Sequence, residues 1–286
     1  MTSLLVNLST PRAAPRAAAL PVAGVGLMRA EFLIYSLGRH PGEIMASQGS
    51  ADLTAALRNG MIAVAAAFRP RPVRYRSLDF KSNEMRTLAG GDIHEPVEGN
   101  PALGHRGASR YARDRDIFMA ELDALRMARA DGCTNLQLMI PFVRSCAELE
   151  ACRAAIEDAG IDDGLELWAM LEIPAMIYMV GDLARYVTGV SIGSNDLTQL
   201  MLGVDRDNST VAQLYDDGHP AVSAAIRAMI DGARRAGLQT SICGDRPSRD
   251  AGFTRMLLDA GIDSISVTPD AVEATAEIIE AAASGR

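Results

Sequence analysis

Leu167-Trp-Ala-Met-Leu-Glu-Ile173 and Gly189-Val-Ser-Ile-Gly193 are two apolar runs of strand length, and the first carries one acid, Glu172, near its end. The second leads into Ser194-Asn-Asp-Leu-Thr-Gln199, a turn dense in amide and oxygen groups with Asn195 and Asp196 side by side. Gly203-Val-Asp-Arg-Asp207 follows and brings Arg206 close to that turn. Two isolated acids at the ends of two hydrophobic strands are costly in a core. A hard cation such as Mg²⁺ between them removes the difficulty, because that ion takes carboxylate oxygens together with water and substrate.

Outward from this stretch, short apolar runs alternate with helical patterns over nearly the whole chain. The further strand candidates are Leu4–Leu8, Gly26–Phe32, Val73–Asp79, a weak one at Gly104–Ser109, Leu136–Pro141, Thr240–Cys243 and Ser264–Val267. Helical patterns cover Asp52–Phe68 and Asp114–Ala130. Ser145-Cys-Ala-Glu148 reads as a capping box opening a helix that stops at Gly160. Pro220 stands at a helix start with Gly237 just past its end, and a last helix runs to Ala283. Such alternation predicts parallel strands with crossover helices. About eight strands in under 300 residues predict a closed α/β (β/α)8 TIM barrel. A doubly wound sheet is the rival, but no GxGxxG turn follows the first strand. Pro11–Pro21 reads as the first loop and helix, and residues 1–286 as a single barrel domain.

The chain is 48% hydrophobic with a formal net charge of -8, which fits a globular protein and disfavours a nucleic-acid binder. No apolar run reaches the roughly 18–20 residues of a membrane span, and no basic region precedes the first apolar run as in a secretory signal. Cys133, Cys146, Cys152 and Cys243 lack CxxC spacing, so reduced thiols in a cytoplasmic setting are expected. Lys81 is the chain's only lysine. A GC-rich genome explains that bias more simply than selection for arginine chemistry.

In a barrel, chemistry collects at the C-terminal ends of the strands. Arg29 and Glu31, then Arg76, Asp79 and Lys81, then Arg106, Glu172, Asn195, Asp196, Arg206 and Cys243 all fall at such ends or just beyond. Each alone has an ordinary reading. An arginine there is most often a salt-bridge partner, Asp196 a helix cap, a cysteine small apolar filler. Together they describe a pocket for a multiply charged anion and a divalent metal, with a thiol placed to donate or remove a proton. His105, beside Arg106, is the one histidine near the expected site.

These residues lie in motifs that resemble the phosphoenolpyruvate-utilising enzyme family, in its C-terminal barrel domain: Gly24–Phe32, Arg76–Glu84, Glu95–Arg110, Ile140–Phe142, Leu171–Pro174, Ser191–Gln199 and Ile242–Gly244. The resemblance covers essentially the whole chain. Asp79-Phe-Lys-Ser-Asn-Glu84 is most similar to the synthase (pyruvate, water dikinase) branch. The resemblance implies that Glu172 and Asp196 bind Mg²⁺. It implies that Arg29, Arg76, Arg106, Asn195 and Arg206 hold phosphoenolpyruvate or pyruvate, and that Cys243 is the acid/base at the enolate carbon. Phosphate would pass between a phosphohistidine and the enolate of pyruvate. No phosphohistidine motif and no nucleotide-binding segment is found in the chain, so that partner domain is expected from another segment or chain. A homodimer is expected from the resemblance alone. Asp245-Arg246 after the Cys-Gly pair is expected to place a cation near the thiol and lower its pKa. The competing readings are a metal-dependent 2-oxo acid lyase or aldolase on the same barrel, and a non-catalytic phosphoenolpyruvate-binding or dimerisation domain.

Overall fold

Eight parallel strands pair in sequence order and close on themselves in this computed structural model, which describes residues 2–161 and 164–285. They are β1 (Ser3–Leu8), β2 (Val25–Arg29), β3 (Val73–Arg76), β4 (Leu136–Ile140), β5 (Leu167–Leu171), β6 (Gly189–Gly193), β7 (Gln239–Cys243) and β8 (Ser264–Val267). The closing pair sets β1 beside β8, with Ser3 opposite Ser264 and Val6 opposite Val267. The expected (β/α)8 barrel is therefore the fold. Its middle strands are buried along their whole length, which is why they read as largely apolar runs, broken only by Gln137 and Ser191, rather than as alternating ones.

Helices carry the crossovers. Ser50–Phe68 and Arg115–Ala130 lie against each other and bury Leu53, Leu57, Met61, Phe118, Leu122 and Leu125. Pro220–Arg235 starts on its proline, and Val272–Ala283 closes the chain's helical layer. The Ser145 hydroxyl accepts from the Glu148 amide at 3.3 Å, as a cap should, but Glu148 Oε2 reaches the Arg144 amide instead of the Ser145 amide. No helix among the described residues is long and apolar enough to cross a membrane.

Three expected strands are corrected, Val73–Asp79 among them because β3 stops at Arg76. Gly104–Ser109 is not a strand; residues Gly107–Ser109 form a 3-10 turn. Gly107 sits at φ +63, where a Cβ would lie 2.3 Å from that of Phe142, so the chain turns rather than extends. Gly26–Phe32 overruns: β2 stops at Arg29, and Glu31 already begins the helix Glu31–Leu37. A second helix, Pro41–Gln48, also fills a stretch with no sequence expectation.

Inside the barrel, Leu27, Met139, Trp168, Met170 and Cys243 form a small apolar cluster. Arg74 packs on it, with its guanidinium carbon 3.5 Å from the Trp168 ring. Arg74 donates to Gln137, Ser241 and Ser264 at 3.1, 2.9 and 3.3 Å. Burial lowers its pKa to about 10. The cluster is the floor on which the functional residues stand, since Leu27, Met170 and Cys243 also line the cavity above it.

Candidate active site at the C-terminal ends of the strands

Arg29, Arg76, Arg106, Glu172, Asn195, Asp196, Arg206 and Cys243 all line a single cavity. The convergence expected from the sequence is present in space. The cavity measures about 110 Å³.

The arginines differ in what they already hold. Arg76 Nη2 donates to Glu31 Oε1 at 2.9 Å, and the same oxygen accepts from the Asp79 amide at 2.7 Å. Arg106 is more fully engaged. Its Nε and Nη2 donate to Asp79 at 3.1 and 2.6 Å, and Nη1 and Nη2 donate to Asp196 at 2.9 and 3.3 Å. Arg29 lies 3.6 Å from Glu31 and over the Phe32 ring. Among the described residues neither the Arg29 nor the Arg206 guanidinium donates a hydrogen bond. Those two are the open anion donors, whereas Arg76 and Arg106 are held by acids.

Asp79 is buried, and desolvation alone would raise its pKa. The charge and hydrogen bonds of Arg106, with Arg76 behind them, outweigh burial and bring it down to about 2. Glu172 lacks such a partner. Burial first, then the neighbouring charges of Asp196 and Asp79, push it up to about 8. Its Oε1 accepts from the Phe142 amide at 2.7 Å. Phe142 takes φ +47, a strained backbone for a bulky residue. Its ring is faced by Arg106 and Arg144 at 4.0 and 4.5 Å. A Cβ on Gly193 would stand 2.5 Å from Glu172 Oε2, so glycine there leaves the carboxylate its place.

Asn195 and Asp196 occupy the first turn of the helix Ser194–Leu202. Asn195 does not point a free amide into the cavity: its Nδ2 donates to Asp245 at 3.1 Å and its Oδ1 accepts from the Asp245 amide at 3.4 Å. Cys243 ends β7 with Sγ 3.7 Å from the Ile192 carbonyl and 3.9 Å from Ser191 Oγ. Burial, then Glu172, raises its pKa to about 11, against the pull of Arg76 and Arg29. This overturns the expected acidification by Arg246. That side chain turns away to Asp250 at 2.8 Å and to the Phe253 ring, so its charge does not reach the thiol. His105 also lies off the cavity, with its ring 3.2 Å from Asp114.

Some site residues had no assigned role in the sequence. Glu31 and Asp79 orient Arg76 and Arg106. Glu121, from the helix Arg115–Ala130, accepts from the Leu78 amide at 3.0 Å and from Tyr75 at 2.7 Å. Tyr111 donates to the Leu78 carbonyl at 2.9 Å. The peptide leaving β3 is thus fixed from both sides. Glu121 is one acid among several on an amphipathic helix, so nothing local in its sequence separates it from the surface ones.

Glu172 and Asp196 are the residues that could hold a divalent metal, although both Asp196 oxygens already accept from Arg106. Glu172 and Asp196 are oxygen donors, and burial plus mutual repulsion leave Glu172 short of positive charge. Among the described residues no three His, Cys, Asp or Glu side chains group into a closed metal cage. Two carboxylates leave the remaining positions for substrate and water, the usual habit of Mg²⁺.

Residues 1–284 match the family profile described as "PEP-utilising enzyme, PEP-binding domain". The chain is 42% identical over 286 residues to a probable phosphoenolpyruvate synthase of Staphylothermus marinus, covering 97% of this chain and 34% of that protein. It is 41% identical over 281 residues to the phosphoenolpyruvate synthase of Pyrococcus furiosus, with the same coverage, 97% and 34%. The chain thus spans about a third of the length of these curated relatives. Among solved structures, an HpcH/HpaI aldolase/citrate lyase family protein from Burkholderia cenocepacia superposes with a TM-score of 0.54 at 16% identity, covering 100% of this chain and 95% of that one. That likeness shows a shared fold.

Proposed function

We propose, for a chain that belongs to the PEP-utilising enzyme family by its PEP-binding domain, that the cavity binds phosphoenolpyruvate and pyruvate with Mg²⁺. In this reading the chain is the C-terminal part of a phosphoenolpyruvate synthase-like phosphotransferase, and phosphate moves between a phosphohistidine carried elsewhere and the enolate of pyruvate. The observation that carries the reading is the convergence of Glu172, Asp196, Cys243 and the open cations Arg29 and Arg206 on one cavity.

Charge supports a metal in the same place. Five cations and four acids line the cavity, a formal charge of +1. A phosphate monoester that also bears a carboxylate carries about -2.5 to -3. Glu172 and Asp196 would hold Mg²⁺, which when bound supplies the missing positive charge and polarises the substrate oxygen. Arg29 and Arg206, whose guanidinium groups donate no hydrogen bond among the described residues, are suited to phosphate and carboxylate oxygens. Arg76, oriented by Glu31, offers its remaining N–H groups from the floor.

Cys243 is held protonated, so Sγ is a proton donor. When phosphoenolpyruvate gives its phosphate to histidine, the S–H proton passes to the methylene carbon, leaving a thiolate and the methyl group of pyruvate. In the other direction the thiolate takes a methyl proton, and the nearby charges of Arg76 and Arg29 favour it.

Two measurements test this. Calorimetry should show phosphoenolpyruvate binding that weakens when Mg²⁺ is removed and when Glu172 is replaced by Gln. Pyruvate in D₂O should exchange its methyl protons faster with the wild type than with Cys243→Ala. Equal exchange rates would remove the thiol from the mechanism, and metal-independent binding would remove the two acids.

A further inference from the structure

Lys81, which lines the cavity, makes an ion pair with Asp207 that no role above explains. Lys81 Nζ lies 2.6 Å from Asp207 Oδ2 and 3.6 Å from Glu84. Lys81 follows β3, whereas Asp207 lies beyond the helix Ser194–Leu202 that follows β6, so the contact joins loops from different parts of the rim. Lys81 is buried, although the Asp207 side chain is 57% exposed. A lysine that served only as another anion donor would have no need of a carboxylate from across the opening.

What the pair holds is the neighbour of Arg206. The Arg206 amide donates to Gln199 Oε1 at 3.2 Å, and the Asp207 amide donates to Asp205 Oδ1 at 2.9 Å. Both contacts belong to the same segment, which leaves its helix at Gly203 in a left-handed conformation, φ +64. Among the described residues, Lys81 alone joins it by a side-chain hydrogen bond or ion pair to another strand's loop. Arg206, between these anchors, keeps a guanidinium with no acceptor in a cavity lined by acids and arginines. We propose that the Lys81–Asp207 pair is a clasp across the cavity mouth, and that both are positioning residues which hold Arg206 where an anionic ligand meets it. The ligand class rests on the phosphoenolpyruvate reading above; the clasp itself rests on the contact.

Electrostatics and positioning predict opposite signs, which makes the test sharp. If only local charge mattered, Lys81→Met would weaken anion binding and Asp207→Asn would strengthen it. A clasp requires both to weaken it, and the double variant to lose no more than either single. Phosphoenolpyruvate affinity with Mg²⁺, measured by calorimetry on the full chain, should fall about tenfold in each, a coupling ordinary for residues in contact. Hydrogen exchange of residues 203–208 in the ligand-free chain should speed up in both single variants. Asp207 is exposed, so Asp207→Asn tests the idea in a protein whose core is untouched. Asp207→Asn binding as tightly as wild type, or more tightly, overturns the clasp, as does unchanged exchange at 203–208. A wild type that binds no phosphoenolpyruvate sinks the functional reading instead, and the exchange rates then decide the clasp alone.

Discussion

Arg106 grips Asp196 by both oxygens, Nη1 on Oδ1 at 2.9 Å and Nη2 on Oδ2 at 3.3 Å, with its Nε turned to Asp79. The same arginine lines the cavity and is the buried keystone between two acids that follow different strands. It orients Asp196, one of the two oxygen donors proposed for the metal.

Replacing Arg106 by Met should be a folding defect before it is a binding defect. Two buried carboxylates lose their cation, and breaking a buried pair in this way costs about 3–5 kcal/mol. Urea unfolding of the metal-free chain reads the loss directly. A midpoint equal to wild type would mean that the guanidinium is spare and free for ligand.

Glu121 should tie stability to pH. Burial raises its pKa to about 8, above the ordinary glutamate value of about 4.3. The folded chain then holds a proton the unfolded chain has lost, so its contribution is full below about pH 4 and falls until pH passes about 8. Glu121→Gln keeps an acceptor for the Leu78 amide without the ionisation. Urea melts at pH 6 and pH 9 should show a smaller drop for that variant than for wild type.

Asp79 acts at the other end of the scale. Its pKa of about 2 lies below the ordinary aspartate value of about 3.9. The stability it lends is present above about pH 4 and is lost as pH falls toward 2. Asp79→Asn should flatten that acid limb, measured by urea unfolding between pH 5 and pH 2.5, and a limb of unchanged steepness would contradict the Arg106 pairing.

The thiols should differ in reactivity. Cys243 is buried with a pKa raised to about 11, and Cys152 is buried with one near 12. Cys146 is only half-buried. Brief alkylation at pH 8, read by peptide mass spectrometry, should mark Cys146 well before Cys243. Early labelling of Cys243 would show a thiolate and reverse its assignment as proton donor.

Gly193→Ala places a methyl 2.5 Å from Glu172 Oε2. The carboxylate is anchored at its other oxygen by the Phe142 amide, so it has little freedom to yield. Overpacking of this kind costs about 1–3 kcal/mol, and Mg²⁺-dependent phosphoenolpyruvate binding should weaken correspondingly. Thermal melting and calorimetry together separate the two losses.

The barrel was legible because its strands are buried on both faces: Leu167–Leu171 has no polar residue and Leu136–Ile140 has only Gln137, so neither reads as a surface strand. Gly104–Ser109 misled because small residues fit a strand as well as a turn, and only the approach of Phe142, more than thirty positions later, decides for the turn. The site residues were legible at strand ends, where acids and arginines recur. What they hold was not. Arg106 and Asp196 lie ninety positions apart, and no local pattern announces their pairing. Arg246 was expected beside the thiol because it is three residues away in the chain, yet a turn sends it to Asp250.

The chain owns one tryptophan, and it lies under the floor of the site, in contact with the cluster that includes Cys243 and Met170. Trp168 is wholly shielded from solvent, with a cation stacked on its face. Its emission is a built-in optical gauge: any repacking of that floor as small molecules enter will alter the glow of this lone indole, without a dye or a label.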